Sequence, residues 1–238
     1  MTPVAIYHCP VGGKFGLPRQ SGVVPALRGS VVLEPEFKDA NALRGLQDFD
    51  YIWLIWGFSG NRDGKWRPTV RPPRLGGNAR MGVFATRSPY HPNAIGLSSV
   101  RIDSIDFENC VIYVSGADLA DGTPVYDIKP YLSYADSHPD ARCGFVSEEA
   151  WSTLEVDFPE GLRKKLSAED ASALRDLLSQ DPRPHYQDSP GRVYSVLFGP
   201  YDVKFTVEDR TVRILSFEEP HPDISGQACG PQPSRQDG

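Results

Sequence analysis

The chain has 238 residues, a mass of 26.3 kDa and a formal net charge of −6. With 39% hydrophobic and 24% charged residues it has an ordinary globular composition, and its acidic balance argues against binding nucleic acid over its whole surface. No apolar run reaches the roughly 18 residues of a membrane-spanning helix. The 22 glycines and 22 prolines exceed the usual share of about 12%, which disfavours a helical bundle and favours short strands joined by turns.

Short strands are predicted along the first 140 residues. Residues 51–58 (YIWLIWGF) are continuously apolar, which is typical of a strand buried on both faces. Further strands are predicted at 4–8, 30–33, 81–86, 95–103, 105–107, 111–115 and 125–129. Turn signals at Glu108-Asn109 and at 121–124 (DGTP) separate the later strands. This spacing is typical of a barrel or closed sandwich, and we predict a mainly β fold with an N-terminal closed β-barrel.

A smaller α+β region is predicted to begin near Ala141. Its clearest element is a helix at 167–180, which begins with Ser167 and Asp170 in a capping-box pattern and carries leucines on one face. Strands are predicted at 151–158, 192–198, 201–207 and 211–217, the last two joined by a turn at 208–210. We therefore expect a barrel domain at 1–140, an α+β domain at 141–219 and a flexible tail at 220–238.

The cellular compartment is predicted from the cysteines and the N-terminus. Cys9, Cys110, Cys143 and Cys229 form no CxxC pair, which favours free thiols in a reducing cytosol. The first nine residues lack a basic stretch followed by an apolar one, so a signal peptide is not expected. The five histidines share no metal-ligand spacing, and we expect neither a metal nor a membrane. A cytoplasmic protein is predicted.

Positive charge is concentrated in one segment of this acidic chain. Between Asn61 and Arg87 a single acidic residue, Asp63, stands among seven basic ones: Arg62, Lys65, Arg67, Arg71, Arg74, Arg80 and Arg87. Such a segment indicates a defined contact with a polyanion, although a solvated loop has the same composition. Prolines at 68, 72 and 73 hold its arginines on extended backbone, which lowers the entropy lost on gripping a phosphate.

Two further stretches concentrate polar groups around turns. Residues 82–96 (GVFATRSPYHPNAIG) follow a predicted strand with a proline-stiffened loop, a common way to build a small-molecule site on a β scaffold. Residues 118–131 (DLADGTPVYDIKPY) place several ionisable side chains around a tight turn. Turn chemistry alone explains either stretch taken singly. There is no GxGxxG after a strand, no Walker loop, no HExxH and no GxSxG.

Taken together, these motifs resemble the TrmO-type tRNA methyltransferases over about residues 3–218. The matching segments are 14–22 (KFGLPRQSG), 66–78 (WRPTVRPPRLGGN), 82–89 (GVFATRSP), 121–131 (DGTPVYDIKPY), 181–186 (DPRPHY) and 201–203 (YDV). The resemblance implies a β-barrel enzyme that transfers a methyl group from S-adenosylmethionine to N6 of N6-threonylcarbamoyladenosine at tRNA position 37. It also implies contact with the anticodon stem-loop and a homodimer with the active site near the subunit boundary.

The resemblance also implies particular residues. Cofactor contacts are expected from Gln20, Ser21, Gly22, Phe58, Ser59, Arg87, Leu97, Leu119, Asp121, Gly122, Thr123 and Pro124. The basic residues Arg67, Arg71, Arg74 and Arg80 are the expected RNA contacts. The chain departs from the family at 91–96, where HPNAIG replaces the usual Arg-Pro-Asn-Pro-Ile-Gly, and at Ser133, where the family has Pro. His91 weakens one expected cationic contact with the substrate.

A catalytic group is also predicted, as a hypothesis. The N6 nitrogen must lose a proton during or after attack on the methyl group, and Asp127 is the leading acceptor, with Lys129 and Tyr131 shaping the site. The alternative is that no protein base is needed, because positioning alone supplies much of the rate. Two other functions stay open: a non-catalytic barrel that binds RNA or a nucleotide, and a methyltransferase of the same fold with another substrate.

Overall fold

The computed structural model describes residues 1–13, 16–58, 65–72, 75, 79–146, 153–183 and 191–220. Six strands form a closed antiparallel barrel in the order β1-β2-β7-β6-β3-β8, which confirms the predicted N-terminal barrel. These strands are β1 Ala5–His8, β2 Arg28–Leu33, β3 Tyr51–Gly57, β6 Ile95–Asp106, β7 Val111–Ser115 and β8 Thr123–Pro130. A two-stranded ribbon of β4 Thr69–Val70 and β5 Met81–Gly82 lies between β3 and β6 in sequence.

Strand β3 alternates between the two faces of the barrel wall. Ile52, Leu54 and Trp56 are buried in the barrel core. The residues between them point outward, where Tyr51 is exposed and Trp53 and Ile55 are half-buried. The prediction of a strand buried on both faces is therefore wrong for the outer face. The outward residues Tyr51, Trp53 and Ile55 are themselves large and apolar. The sequence is therefore continuously apolar although its side chains alternate between the core and the outer face.

Two of the predicted strands are one strand in the structure. β6 runs without a break from Ile95 to Asp106, although the sequence predicts separate strands at 95–103 and 105–107. The pairing of β6 with β7 shifts register between Ile102 and Ser104, so the strand continues through the polar residues at 103 and 104. The strand predicted at 81–86 is shorter than expected, because only Met81–Gly82 is extended and a 3₁₀ turn occupies Val83–Ala85.

The second sheet has the order β10-β11-β12-β9, with β9 parallel to β12 and the other pairs antiparallel. Its strands are β9 Glu155–Asp157, β10 Tyr194–Phe198, β11 Tyr201–Glu208 and β12 Thr211–Glu218. Within the described residues there are three α-helices: α1 Ser133–Asp136, α2 Glu160–Arg163 and α3 Ala168–Ser179. Helix α3 begins where predicted, because Ser167 Oγ accepts a hydrogen bond of 3.0 Å from the backbone N–H of Asp170. Asp209 and Arg210 turn the final hairpin with positive φ.

The segment between β1 and β2 packs against the second sheet. Val11, Val24 and Leu27 are fully buried in the same cluster as the leucines of α3. Val11 forms an isolated bridge with Phe198, next to a 2.7 Å hydrogen bond from the Gly199 N–H to the Pro10 carbonyl. The predicted cofactor residues 20–22 therefore lie on a loop that is anchored on both sides, by Val11 before them and by Val24 and Leu27 after them.

The remaining predictions about the chain concern its termini, thiols and hydropathy. The predicted tail lies outside the described residues beyond Pro220, as does Cys229, while Cys9, Cys110 and Cys143 are free thiols. No helix in the described part of the chain is long and apolar enough to cross a membrane.

Candidate functional site

Two of the predicted cofactor-binding segments meet through Gln20 and Arg87. Gln20 lies in the loop between β1 and β2, and Arg87 follows the 3₁₀ turn after β5. An Nη1–H of Arg87 donates a hydrogen bond of 2.6 Å to Gln20 Oε1. Both side chains are exposed, so the pair presents an amide and a guanidinium at the surface. A guanidinium in this position suits a carboxylate ligand, because its donors match the two oxygens.

The same loop is tied to the turn before β8. Gly22 and Gly116 both have positive φ, and the Gly22 N–H donates a hydrogen bond of 2.7 Å to the Gly116 carbonyl. A Cβ on Gly116 would lie 3.6 Å from the Gly22 Cα, and positive φ also disfavours a side chain at both positions. The predicted residues Ser21 and Gly22 therefore sit beside the segment that leads to Leu119 and Asp121.

The turn at 119–124 is built by local hydrogen bonds. Thr123 Oγ1 donates to the Ala120 carbonyl at 2.7 Å, and the Gly122 N–H donates to the Tyr7 carbonyl at 2.9 Å. Leu119 and Thr123 are buried, whereas Asp121 and Gly122 are exposed. Leu119 fills the barrel core, so a ligand on this turn would meet its backbone rather than its side chain. Pro124 lies opposite Ile6 in the pairing of β8 with β1, which begins at Thr123.

Asp121 also contacts the end of β1. Its Oδ1 atom lies 3.1 Å from His8 Nδ1 and accepts a hydrogen bond of 3.1 Å from the Cys9 N–H. Burial raises the pKa of the neighbouring Cys9 thiol to about 11, so this thiol is protonated and unreactive at neutral pH. The cysteine contributes packing here rather than nucleophilic chemistry.

An apolar surface adjoins these polar groups. Leu97 on β6 is 50% exposed, and Ile95 beside it on the same face is also exposed. Phe58 follows β3, and its N–H donates a hydrogen bond of 3.0 Å to the Ala94 carbonyl. Its ring packs on Trp56 with centroids 4.4 Å apart. Ser59, the next predicted cofactor residue, lies outside the described residues.

The predicted catalytic group lies on the outer face of the barrel, one strand from this surface. Ile55 pairs with Leu97 on one side and with Asp127 on the other, so about 10 Å separates Leu97 from Asp127 across the sheet. Asp127 Oδ2 lies 2.8 Å from Lys129 Nζ, and its Oδ1 accepts a 2.8 Å hydrogen bond from the Ile128 N–H. Tyr131 continues the strand direction and packs on Trp53 at 5.7 Å.

Asp118 and Ser98 are not among the predicted cofactor residues, but they lie next to the segments predicted to bind the cofactor. Asp118 Oδ1 accepts a hydrogen bond of 2.5 Å from Ser98 Oγ, and Ser98 Oγ accepts one of 2.9 Å from Trp56 Nε1. The Ser21 N–H and the Arg87 charge also act on Asp118, although burial outweighs them and raises the pKa of this carboxyl above its ordinary value. Its place in the 118–131 stretch was visible in the sequence, but its partners were not.

The expected RNA contacts lie on the ribbon and its flanks. Arg67, Arg71 and Arg80 are exposed, and Arg74 lies outside the described residues. The Arg67 guanidinium lies 4.4 Å from the Tyr90 ring centroid, and the backbone N–H of Arg67 donates a hydrogen bond of 3.1 Å to the Tyr90 carbonyl. This contact fixes the ribbon to the loop that follows Arg87. His91 points back into that loop, because its Nε2 lies 2.9 Å from the Thr86 carbonyl oxygen.

The set of groups around Asp118 suits S-adenosylmethionine, the cofactor that the sequence resemblance implies. A carboxylate and a guanidinium can receive the ammonium and carboxylate of an amino acid, and an exposed leucine can cover a flat ring. Among the described residues no group of three or more His, Cys, Asp or Glu could hold a metal ion.

Comparisons with known proteins show which family the chain resembles over most of its length. The chain is 38% identical over 225 residues to the tRNA (adenine(37)-N6)-methyltransferase of Escherichia coli strain K12, covering 90% of this chain and 96% of that protein. It is 43% identical to a putative S-adenosylmethionine-dependent methyltransferase, RcsF, of Pseudomonas aeruginosa, covering 85% of this chain and 90% of that protein.

A solved structure and two family models extend the match to the fold. The crystal structure of TrmO from Pseudomonas aeruginosa superposes with a TM-score of 0.73 at 31% identity, covering 91% of this chain and 96% of that chain. The tRNA-methyltransferase O N-terminal domain matches residues 6–137, and the TrmO C-terminal domain matches residues 152–220. With both halves matched in this way, the chain belongs to the TrmO family.

Proposed function

We propose that this protein is an S-adenosylmethionine-dependent tRNA (adenine(37)-N6)-methyltransferase whose acceptor is N6 of N6-threonylcarbamoyladenosine. The observation that carries the proposal is the meeting of the 20–22 loop, Arg87 and the 118–124 turn beside the exposed Leu97. S-adenosylmethionine supplies an electrophilic methyl group on a sulfonium. Gln20, Ser21, Gly22, Arg87 and the 119–124 turn hold it, with Phe58 and Leu97 as apolar contacts.

The chain's own contribution to the chemistry is positioning and a proton acceptor. The acceptor nitrogen is a poor nucleophile, because its lone pair is delocalised into the ring and the carbamoyl group. Holding it in place against the donor can lower the barrier by about 7–11 kcal/mol. Asp127 accepts the N6 proton, and the Lys129 ammonium lies 2.8 Å from its Oδ2 atom and holds the carboxylate in place. Tyr131 borders the same outer face and shapes the site.

The RNA-binding part of the proposal rests on the ribbon β4–β5. Arg67, Arg71 and Arg80 are exposed around it, and with Arg74 they hold the phosphates of the anticodon stem-loop. Phosphate contacts of this kind place the substrate, while an unstacked base in the loop enters the site. A protein of net charge −6 binds RNA through one such patch rather than through its whole surface.

We further propose a homodimer, a cytoplasmic location, and division of the chain into domains at 1–140 and 141–219. Support for the dimer comes from apolar side chains left exposed near the cofactor residues, with Phe84 77% and Leu97 50% exposed. Sedimentation velocity at micromolar protein should give twice the mass of the chain. A monomer that methylates tRNA at full rate would contradict the dimer.

The test of the function is direct. Purified protein is incubated with S-adenosylmethionine and with tRNA that carries N6-threonylcarbamoyladenosine but not its methylated form. Digestion to nucleosides and mass spectrometry should show the base gain one methyl group. Omitting the protein, or using tRNA without the threonylcarbamoyl group, provides the control. Methylation of the unmodified adenosine alone, or of no tRNA, would contradict the proposal.

A further inference from the structure

One carboxylate outside the expected set of cofactor residues lies next to several of the segments in that set. Asp118 directly precedes the 119–124 turn, and two residues before it the Gly116 carbonyl accepts a hydrogen bond of 2.7 Å from the Gly22 N–H of the 20–22 loop. The Ser21 backbone N–H lowers the pKa of the Asp118 carboxyl, against the larger effect of burial. The Arg87 guanidinium, which is itself bound to Gln20, acts on it through its charge. Asp118 therefore links the 20–22 loop, Arg87 and the turn.

The carboxylate ends a chain of two hydrogen bonds that begins inside the barrel. Trp56 Nε1 donates to Ser98 Oγ at 2.9 Å, and Ser98 Oγ donates to Asp118 Oδ1 at 2.5 Å. Ser98 is 1% exposed and Trp56 7% exposed, so both lie inside the barrel wall. A Cβ on Gly96 would fall 2.2 Å from the Trp56 ring, so glycine at this position gives the indole its place. Each donor has one acceptor, which fixes the orientation of the carboxylate.

The energetic balance at Asp118 favours a functional role. Burial raises the pKa of its carboxyl despite hydrogen bonds from Ser98 and from backbone N–H groups and despite the Arg87 charge. In the protein without ligand, the ionised carboxylate is thus less favoured here than it is in water. A buried charge that does not favour folding is typical of a binding site, where the ligand supplies the missing compensation.

We propose that Asp118 is the positioning residue of the cofactor pocket, oriented by Ser98 and Trp56 so that it holds the 20–22 loop and Arg87 in their binding arrangement. This inference rests on the proposed function, since the pocket is the one assigned there to S-adenosylmethionine. It adds three residues of this chain to the site. From the sequence alone, Ser98 and Trp56 are predicted only to lie on strands of the barrel.

Binding of S-adenosylmethionine to the protein without tRNA tests the role of Asp118. Isothermal calorimetry should show the Kd rise about tenfold or more in Asp118→Asn, the loss expected for a charged hydrogen-bonded group. Ser98→Ala, which leaves the carboxylate but removes its orienting donor, should give a smaller rise. In steady-state kinetics, Asp118→Asn should raise the KM for S-adenosylmethionine. The kcat at saturating cofactor should not change, and neither should the Kd for tRNA.

The matched control is Asp103→Asn. Asp103 also accepts from a serine, Ser115 at 3.0 Å, and from an arginine, Arg101 at 2.8 Å, but none of these belongs to the cofactor-binding segments. Its affinity for S-adenosylmethionine should equal that of the wild type. Thermal unfolding of the ligand-free protein separates a binding role from a structural one, because Asp118→Asn should unfold no earlier than the wild type at pH 7.

Two results would overturn the inference. Wild-type affinity in Asp118→Asn would remove the residue from the pocket, while the proposed function would stand. A lower unfolding temperature together with an equal loss of tRNA affinity would show a structural role only. If the wild type itself binds no S-adenosylmethionine, the proposed function falls and this inference falls with it.

Discussion

Arg19 Nη2 donates a hydrogen bond of 3.0 Å to the carbonyl oxygen of Asp181, which joins the cofactor loop to the end of helix α3. Asp181 has positive φ and binds Arg183 through both carboxylate oxygens, at 2.7 and 2.8 Å. Residues 181–183 thus form a tight turn, and the carbonyl of Asp181 points toward Arg19. Gln20 follows Arg19 directly, so this bond ties the predicted cofactor residues 20–22 to the segment that follows helix α3.

The first prediction is that Arg19→Gln weakens cofactor binding without touching the cofactor. Losing one hydrogen bond between the domains should cost about 1 kcal/mol, or about fivefold in the Kd for S-adenosylmethionine. Calorimetry measures the change. Arg213→Gln, which breaks an exposed pair with Asp157 in the second sheet, is the control and should leave the Kd unchanged. Equal affinities in all three proteins would show that the loop needs no support from Asp181.

The second prediction concerns the basic ribbon. Replacing Arg71 and Arg80 with Gln should weaken tRNA binding and flatten the plot of log Kd against log salt by about 1.5, since each lost phosphate contact removes about 0.7–0.9 from the slope. Filter binding over a salt series measures both quantities. Arg44→Gln, outside the segment, should leave the slope intact. An unaltered slope in the double variant would show that Arg71 and Arg80 make no phosphate contacts and are simply solvated.

The third prediction addresses the proton acceptor. Asp127→Asn should lower the single-turnover rate of methyl transfer about a hundredfold, within the range of general base catalysis, while S-adenosylmethionine binds as before. Rapid-quench measurements with enzyme in excess isolate this step. Asp157→Asn provides a control, because Asp157 is also an exposed strand carboxylate paired with a cation. Should Asp127→Asn react at the wild-type rate, no base is supplied from this position.

The fourth prediction follows from the backbone at Ala94. Its φ of 46° lies in the left-handed region, where a side chain costs about 1 kcal/mol relative to glycine. Ala94→Gly should therefore raise the free energy of unfolding by about that amount. Ala94→Pro should lower it, because proline fixes φ near −65° and removes the N–H that donates to the His91 carbonyl at 3.1 Å.

Urea unfolding measures both Ala94 variants. In the control, Ala42→Gly, the residue lies in the 3₁₀ turn Ala40–Leu43, and glycine should destabilise there. Ala94→Pro should also weaken cofactor binding, since the Ala94 carbonyl accepts the Phe58 N–H. A proline variant as stable as the wild type would show that this chain can adopt the loop of relatives with proline at this position.

The fifth prediction is a pH dependence that belongs to Asp118. Because burial raises its pKa in the folded state, the stability linked to this group is fully present below its unfolded pKa and is lost as pH rises through the folded value. The wild type should therefore lose stability relative to Asp118→Asn as pH rises. Arg87 and the buried Tyr7 hydroxyl face the group. A constant difference across pH would contradict the assignment.

Much of the fold follows from local patterns, whereas the site depends on contacts between distant segments. The Ser167 cap and the apolar run at 51–58 determine their elements by themselves. The break predicted near Asp103 did not occur, because its carboxylate binds Ser115 on β7 and so joins the strands. No local pattern reveals that partner.

The same limit applies to the cofactor residues. Gln20 and Arg87 meet across 67 residues of sequence, and Ser98 reads as an ordinary polar position in a strand. Its burial and its bond to Asp118 arise only when the barrel closes. The motif resemblance identified the neighbours of Asp118, but Asp118 itself emerges from geometry.

The bridge between Val11 and Phe198 has a consequence for biosynthesis. The barrel strands have all emerged from the ribosome long before the final hairpin, so the barrel can close early in translation. The segment that follows β1 contains Val11, whose partner Phe198 is synthesised only after all the barrel strands. We therefore expect the segment between β1 and β2 to take its final position only after Phe198 has been synthesised.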